Sequence, residues 1–131
     1  MILVLDVSAA IDVLLNKGKF HTYTTEIEKA DAVMAPQLYI SEISNVAWKY
    51  RKLAGFSHEE SLRLAEDGVN LIDSYVPVTD IWKESLREAF YSDHPVYDCL
   101  YVVCARRNDG TLLTKDKRLA QLCDDLNVGH V

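Results

Sequence analysis

The chain has 131 residues, of which 49% are hydrophobic and 26% are charged. These fractions are average for a globular protein and exclude a disordered chain, and the length predicts a single domain over residues 1–131. The net charge of −6 and the isoelectric point of about 5.1 exclude a general basic surface for nucleic acid. A nucleic-acid substrate stays possible, because a bound metal or a local basic patch would offset the acidity.

Cysteine content and hydropathy indicate the cellular compartment of the protein. Cys99, Cys104 and Cys123 are an odd number without the spacing of metal ligands, which predicts small core residues of a reduced, cytoplasmic protein. The apolar start MILVLDVSAAI has no basic region and reaches Asp6 at once, so we do not expect a signal peptide. No apolar run approaches the length of a membrane span, and we expect no membrane association.

The first half of the chain predicts two buried strands and four helices. Ile2–Leu5 is an unbroken apolar run, which is typical of a parallel strand buried on both faces. Ser57 and Glu60 form a capping box that begins a helix. The predicted elements are strands over 2–5 and 32–35, helices over 9–15, 24–30, 37–54 and 57–72, and a loop over 17–23.

The second half predicts a strand over 75–78, and Pro77 within it favours an edge position. The other predicted elements are helices over 80–91, 95–108 and 116–126, a strand over 111–114 and a terminal edge strand over 128–131. Strands alternate with helices throughout. The fold class is therefore predicted as α/β with a central, mainly parallel sheet.

Four acidic residues from distant points of the chain are predicted to converge at one edge of this sheet. Asp6 follows the first strand and Asp116 follows the fourth, so both leave at the carboxyl ends, where open parallel sheets bind ligands. Glu42 lies early in a helix that directly follows a strand, which puts it at the same edge. Asp98 also lies early in a helix, but that helix leads into a strand, so its placement is open.

Carboxylates gathered in one crevice repel one another, and an uncompensated buried charge costs several kcal/mol. A hard divalent cation such as Mg²⁺ or Mn²⁺ relieves that repulsion and prefers oxygen ligands. Because cysteine and histidine are absent from the four, zinc is not expected. Each acid also has an ordinary interpretation: Asp6, Asp98 and Asp116 suit helix N-termini, and Glu42 suits a solvated helix face.

Four segments resemble the acidic motifs of PIN-domain nucleases. They are LDVSAAI (5–11), SEISNV (41–46), YDCLYVVCA (97–105) and LLTKDKRL (112–119). Their order, their spacing and the length of the chain are similar to those of the small single-domain members, the VapC-type toxins of toxin–antitoxin pairs. The resemblance covers nearly the whole chain, but residues 55–95 are only generically similar.

The resemblance implies a three-layer α/β/α sandwich with endoribonuclease activity, in which the acids bind Mg²⁺ or Mn²⁺ and hydrolyse RNA phosphodiester bonds. It also implies a small antitoxin partner and a homodimer. Asp6 and Asp98 are predicted as the direct metal ligands, while Glu42 and Asp116 hold a second ion or orient water. The implied site residues are the catalytic and metal-binding acids Asp6, Glu42, Asp98 and Asp116 and the supporting hydroxyls of Ser8 and Thr114.

Several other side chains receive weaker predictions. Lys115, Lys117 and Arg118 are predicted as an RNA-facing rim. Arg106 and Arg107 either join that rim or compensate the dipole of their own helix. The aromatic residues Tyr39, Trp48 and Tyr50 are interpreted as core or dimer-interface residues in preference to base-stacking ones. Asp12, Asp93 and Asp109 are interpreted as solvated or turn residues.

Three alternatives stay open. They are a catalytically inactive PIN-fold binding module, a PIN nuclease of RNA maturation, and a phosphatase with Asp6 as nucleophile. Metal binding without cleavage supports the binding module. Ser8 stands where the commonest phosphatase arrangement has a second acid, which weighs against the phosphatase.

Overall fold

A parallel sheet is the centre of the computed structural model, which describes residues 1–131. Its four strands, in the order β3-β2-β1-β4, are β1 (Ile2–Leu5), β2 (Ala32–Pro36), β3 (Ser74–Val76) and β4 (Thr111–Leu113). β1 pairs in parallel with both β2 and β4, so Leu3 lies between Val33 and Thr111. The predicted parallel sheet is confirmed, and β3 lies at its edge, as Pro77 indicated.

Helices cover both faces of the sheet in a three-layer α/β/α sandwich, as predicted. They are α1 (Val7–Leu14), α2 (Phe20–Lys29), α3 (Leu38–Leu53), α4 (His58–Asn70), α5 (Val78–Ser92), α6 (Val96–Arg107) and α7 (Lys117–Asp125). α6 packs on β1, β2 and β4 and contacts α5 and α7, whereas α1 contacts α2, α3 and α4. None of these helices has both the length and the apolar character needed to cross a bilayer.

The core contains β1 and α6 at its centre. Leu3, Val4 and Leu5 are fully buried, as expected for a strand with helices on both faces. Every residue of α6 from Cys99 to Ala105 is buried, so this helix has no solvated face along most of its length. The three cysteines are free and buried, as predicted. A carboxylate at the start of α6 therefore lies directly beside the core.

Three predicted boundaries are wrong. α2 begins at Phe20 instead of residue 24, because Tyr23 is fully buried and its hydroxyl donates to the Thr114 carbonyl at 3.2 Å. α5 begins at Val78 because Pro77 occupies its N-cap, which ends β3 at Val76. The predicted terminal strand is a single parallel bridge between His130 and Leu112 on the outer side of β4.

Gly68 allows α4 to lie close against α3. A Cβ atom at this position would come within 2.7 Å of Ile43 Cγ1. The Tyr39 hydroxyl crosses the same interface and donates to the Gly68 carbonyl at 2.7 Å. Because Glu42 directly precedes Ile43, this close packing fixes the turn of α3 that carries the acid.

Candidate active site

All four predicted acids line one cavity at the carboxyl edge of the sheet. The strand order changes direction between β1 and β4, the place where parallel sheets bind ligands. The cavity there measures about 150 Å³, and its lining includes Asp6, Glu42, Asp98 and Asp116. The structure therefore brings Asp98, whose placement was open from the sequence, to the other three. Val7, Ser8, Tyr97, Tyr101 and Leu119 complete the lining.

Asp6 is the most enclosed of the four acids, and only 6% of its surface is exposed. One carboxylate oxygen accepts from the Ser8 hydroxyl at 2.7 Å and from the Ala9 amide at 3.0 Å. The other accepts from the Thr114 hydroxyl. These donors fix the orientation of the carboxylate, so the supporting hydroxyls predicted from the sequence both contact Asp6.

The same two hydroxyls tie the end of β1 to the turn after β4. The Lys115 amide donates to Ser8 Oγ at 2.9 Å, and the Asp116 amide donates to Thr114 Oγ1 at 3.0 Å. Each hydroxyl thus donates to Asp6 while it accepts from the backbone beside Asp116. The positions of these two acids are coupled through this network.

Glu42 is half-buried, and its Oε1 accepts a hydrogen bond of 2.6 Å from the hydroxyl of Tyr101. Tyr101 lies one turn after Asp98 on α6 and is only 4% exposed. The sequence interpretation missed this residue, because it stands within an apolar run. A tyrosine in a buried helix needs a partner for its hydroxyl, which is the signal that could have identified it.

Asp98 lies in the first turn of α6, but its side chain does not cap the helix. Burial raises the pKa of its carboxyl group, and repulsion from Asp116 raises it further. Arg118 and His94 oppose this rise. Asp98 therefore faces the cavity without the hydrogen bonds that hold Asp6 and Glu42.

Burial also raises the pKa of Asp6 and of Glu42, and the charges of neighbouring acids add to both shifts. The hydroxyls of Thr114 and Ser8 lower the pKa of Asp6, and the Tyr101 hydroxyl lowers that of Glu42. In each case burial is the larger effect. The cavity thus holds carboxylates in surroundings that disfavour their negative charge, which is typical of functional sites.

Capping explains part of this arrangement. Asp6 caps α1 through the Ala9 amide, and Asp116 caps α7 by accepting from the amides of Arg118 and Leu119 at 2.8 and 3.3 Å. Capping does not account for Asp98 or Glu42, which cap nothing. Capping therefore does not explain half of the acidic cluster, although the first turn of α6 favours the charge of Asp98.

The prediction that Asp12 is solvated is wrong. Its carboxylate is fully buried and accepts from the Lys19 amide and from Lys115 Nζ, both at 3.0 Å. A Cβ atom on Gly18, whose φ is +55°, would come within 2.2 Å of Asp12 Oδ2. The loop before α2 wraps around this carboxylate, and Lys115 is paired with it.

The other basic residues divide into two groups. Arg106 donates to Glu84 and Glu88 at 2.7 and 2.6 Å, and Arg107 donates to Glu84 at 2.5 Å. These pairs hold α6 to α5 and neutralise both arginines, so neither belongs to a free basic rim. Lys117 and Arg118 are exposed and have no carboxylate partner.

The donors around the cavity suit a hydrated hard cation. They are carboxylate and hydroxyl oxygens, which Mg²⁺ and Mn²⁺ prefer, and no cysteine or histidine lines the cavity. No group of three or more acidic, cysteine or histidine side chains is close enough together to hold a metal ion by itself. Mg²⁺ usually keeps several waters and uses one or two carboxylates. Since a water occupies about 30 Å³, a cavity of about 150 Å³ has room for such an ion.

Asp6→Asn tests whether the buried carboxylate is destabilising without a cation. Because the folded-state pKa of Asp6 is raised, its ionisation lowers the free energy of unfolding as pH rises from about 4 through that pKa. Asparagine does not ionise, so the variant should lose less stability than the wild type between about pH 4 and pH 7. Thermal unfolding of the metal-free proteins measures this difference. Exposed Glu66→Gln is the control, and parallel curves for Asp6→Asn and wild type would contradict the prediction.

Comparisons with known proteins agree with the fold. No curated protein sequence matches the chain. Among solved structures, it is similar to PAE2754 from Pyrobaculum aerophilum, with 22% identity, a TM-score of 0.72 and coverage of 93% of this chain and 87% of that one. It is also similar to VapBC2 from Rickettsia felis bound to a promoter DNA fragment, with 13% identity, a TM-score of 0.70 and coverage of 100% and 98%.

A third similar structure is VapBC-1 from nontypeable Haemophilus influenzae, with 15% identity, a TM-score of 0.68 and coverage of 100% of this chain and 97% of that one. At these identities the likeness establishes the fold alone. The family model described as PIN domain matches residues 3–125. The match extends over nearly all of the sequence and includes all four acids. The chain belongs to the PIN domain family.

Proposed function

We propose that this PIN domain is an endoribonuclease that depends on Mg²⁺ or Mn²⁺ and hydrolyses RNA phosphodiester bonds, as the toxin of a toxin–antitoxin pair. The observation that carries the proposal is the gathering of four carboxylates in one small cavity between β1 and β4. Two of them, Glu42 and Asp98, have no capping role, and their pKa values are raised by burial and by the other acids. Arg118, His94 and the Tyr101 hydroxyl compensate these charges only in part, and a cation would supply the rest.

The proposed division of labour follows from the contacts. Asp98 has no competing hydrogen bond on its carboxylate, and Asp6 is oriented by hydroxyls, so these two are the direct ligands. Glu42 and Asp116 hold a second ion or accept a proton from the attacking water. When bound, the metal activates that water and stabilises charge on the phosphoryl and leaving oxygens.

Three hydroxyl groups orient these acids or favour their ionised forms. Ser8 and Thr114 hold the Asp6 carboxylate in one orientation and couple it to the backbone of Asp116. The Tyr101 hydroxyl favours the ionised form of Glu42, the form that accepts a proton. These hydrogen bonds are present without substrate, so the acids are already oriented when RNA binds.

The proposed partners rest on the similar structures. Those named VapBC agree with the likeness of the four motifs to VapC-type toxins. We therefore propose a small antitoxin as partner. A homodimeric state follows from the resemblance of the four motifs to VapC-type toxins, and a cytoplasmic location from the free cysteines. The 131 residues act as a single PIN-like nuclease domain.

The first test is cleavage of a mixed structured RNA pool with Mg²⁺ or Mn²⁺. Asp6→Asn and Asp98→Asn should each reduce the cleavage rate by at least about 100-fold, because each removes a charged ligand and keeps the shape of the side chain. Wild-type cleavage should stop when the metal is chelated. Gel analysis of the RNA with time gives the rates.

Asp93→Asn is the matched control. This exposed acid lies outside the cavity, and asparagine tolerates its φ of +54°, so the variant should cut RNA as the wild type does. Equal cutting by all the variants would reveal a contaminating nuclease and contradict the proposal. Metal binding without cleavage of any RNA would instead identify the inactive binding module.

Tyr101→Phe should shift the pH dependence of cleavage. Loss of its hydrogen bond removes an interaction that favours ionised Glu42, so the pKa of Glu42 rises and activity falls away at a higher pH. A shift of about half a unit to one unit is expected on the acid side of the profile of rate against pH. Tyr97→Phe removes a hydroxyl from the same cavity without removing a hydrogen bond, and should leave the profile unchanged. Coincident profiles for Tyr101→Phe and wild type would refute this role.

A further inference from the structure

The buried carboxylate of Asp12 lies on α1, the helix that Asp6 caps. One of its oxygens accepts from the amide of Lys19, the residue at the start of α2. The other accepts from Lys115 Nζ on the turn between β4 and α7. The first contact anchors a loop and is purely structural. The second contact leads to the residue that directly precedes Asp116.

Lys115 binds α1 at two points. Its amide donates to Ser8 Oγ at 2.9 Å, and its ammonium group donates to Asp12 Oδ1 at 3.0 Å. Ser8 lies in the first turn of α1 and Asp12 lies near the other end of that helix. The backbone and the side chain of Lys115 thus attach the turn of residues 114–116 along the length of α1.

The position of this turn decides where two of the acids lie. The Thr114 hydroxyl donates to Asp6, and Asp116 ends the turn and caps α7. The Asp116 amide in turn donates to Thr114 Oγ1 at 3.0 Å. A displacement of Lys115 away from α1 would therefore move Asp116 and disturb the hydroxyl that orients Asp6.

Stability alone does not explain the ion pair between Asp12 and Lys115. The side chain of Asp12 is only 1% exposed, whereas that of Lys115 is 42% exposed. Taking a carboxylate out of water is costly, and replacement of a buried ion pair by apolar side chains is often neutral or stabilising. An apolar side chain would not, however, form a directional bond from α1 to the turn.

We propose that Asp12 is a positioning residue of the acidic cavity, which acts through Lys115 on the turn that carries Asp116. The proposal rests on the proposed metal-dependent ribonuclease and adds a residue that its cation requires. Neither Asp12 nor Lys115 lines the acidic cavity, so neither is a metal ligand here. Residues that orient the ligands of a metal typically contribute 10- to 100-fold to its affinity.

The charge of Lys115 makes the opposite prediction and so provides a test. A lysine close to a cation site repels the cation, and its removal through electrostatics alone should strengthen metal binding. If Lys115 instead holds the turn in place, its removal should weaken binding. Lys115→Met therefore changes the metal affinity in opposite directions under the two explanations.

The experiment is a titration of the full chain with Mn²⁺, in which electron paramagnetic resonance measures the free ion, at a temperature where every variant is folded. Lys115→Met should raise the dissociation constant about 10-fold. Lys115→Arg keeps the charge that pairs with Asp12 and should retain the wild-type affinity. Arg107→Met removes the same charge from an ion pair with Glu84, outside the cavity, and should also bind as the wild type does.

A double variant separates position from stability. Lys115→Met leaves the buried Asp12 carboxylate unpaired and lowers the thermal stability, whereas Asp12→Asn/Lys115→Met removes both charges and should recover much of it. The Mn²⁺ affinity of the double variant should stay low, because the bond from α1 to the turn is still absent. Recovery of the affinity together with the stability would show a merely structural role and overturn the proposal.

Hydrogen exchange in the metal-free protein gives a second measurement. The Asp116 amide should exchange faster in Lys115→Met and in the double variant than in the wild type, because its bond to Thr114 Oγ1 opens more often. Equal exchange, or unchanged or tighter Mn²⁺ binding by Lys115→Met, would overturn the role of Asp12. A wild type that binds Mn²⁺ but never cuts RNA would refute the ribonuclease alone, and the affinities of the variants would still decide whether Asp12 positions the cation site.

Discussion

The burial of carboxylates at the carboxyl edge of the sheet is the constraint on which the rest of the site depends. Asp6 is enclosed between β1 and β4, and Glu42, Asp98 and Asp116 line the same small cavity. Burial and mutual repulsion raise the pKa of three of them, so the site costs stability at neutral pH. A fold retains such a cost when the charges serve a ligand, and a hard divalent cation is the ligand that suits these oxygen donors.

The surrounding residues hold the acids in place and compensate their charge only in part. Ser8 and Thr114 connect Asp6 to the turn after β4, and Tyr101 connects Glu42 to α6. Beneath that turn, buried Asp12 is paired with Lys115. Hydroxyls orient carboxylates but carry no positive charge, and the lysine nearest the cavity is already neutralised. The contacts therefore orient the acids and compensate their charge only in part, which is why we propose a cation from solution as the counter-ion.

Sequence patterns predicted the features that depend on residues close together in the chain. Buried apolar runs located the strands, and the positions of Asp6 and Asp116 after parallel strands placed both acids at one edge. Contacts between distant residues were not accessible in this way. Tyr23 extends α2 through a bond to Thr114, Asp12 is buried by a loop that wraps around it, and Tyr101 finds Glu42 59 positions away. Each of these features depends on one polar side chain that contacts a distant part of the chain. The periodicity of apolar residues carries no information about such a contact.

The most direct measurement is calorimetric titration of Mn²⁺ into the metal-free protein near pH 5, about one unit above the ordinary pKa of aspartate, in two buffers of different ionisation enthalpy. Because the pKa values of three of these acids are raised and metal binding favours their ionised forms, binding should release protons and the observed enthalpy should depend on the buffer. Asp98→Asn should weaken binding and reduce the proton release. Absence of binding, or binding that is indifferent to both the buffer and Asp98, would contradict the proposal that these four carboxylates form a cation site.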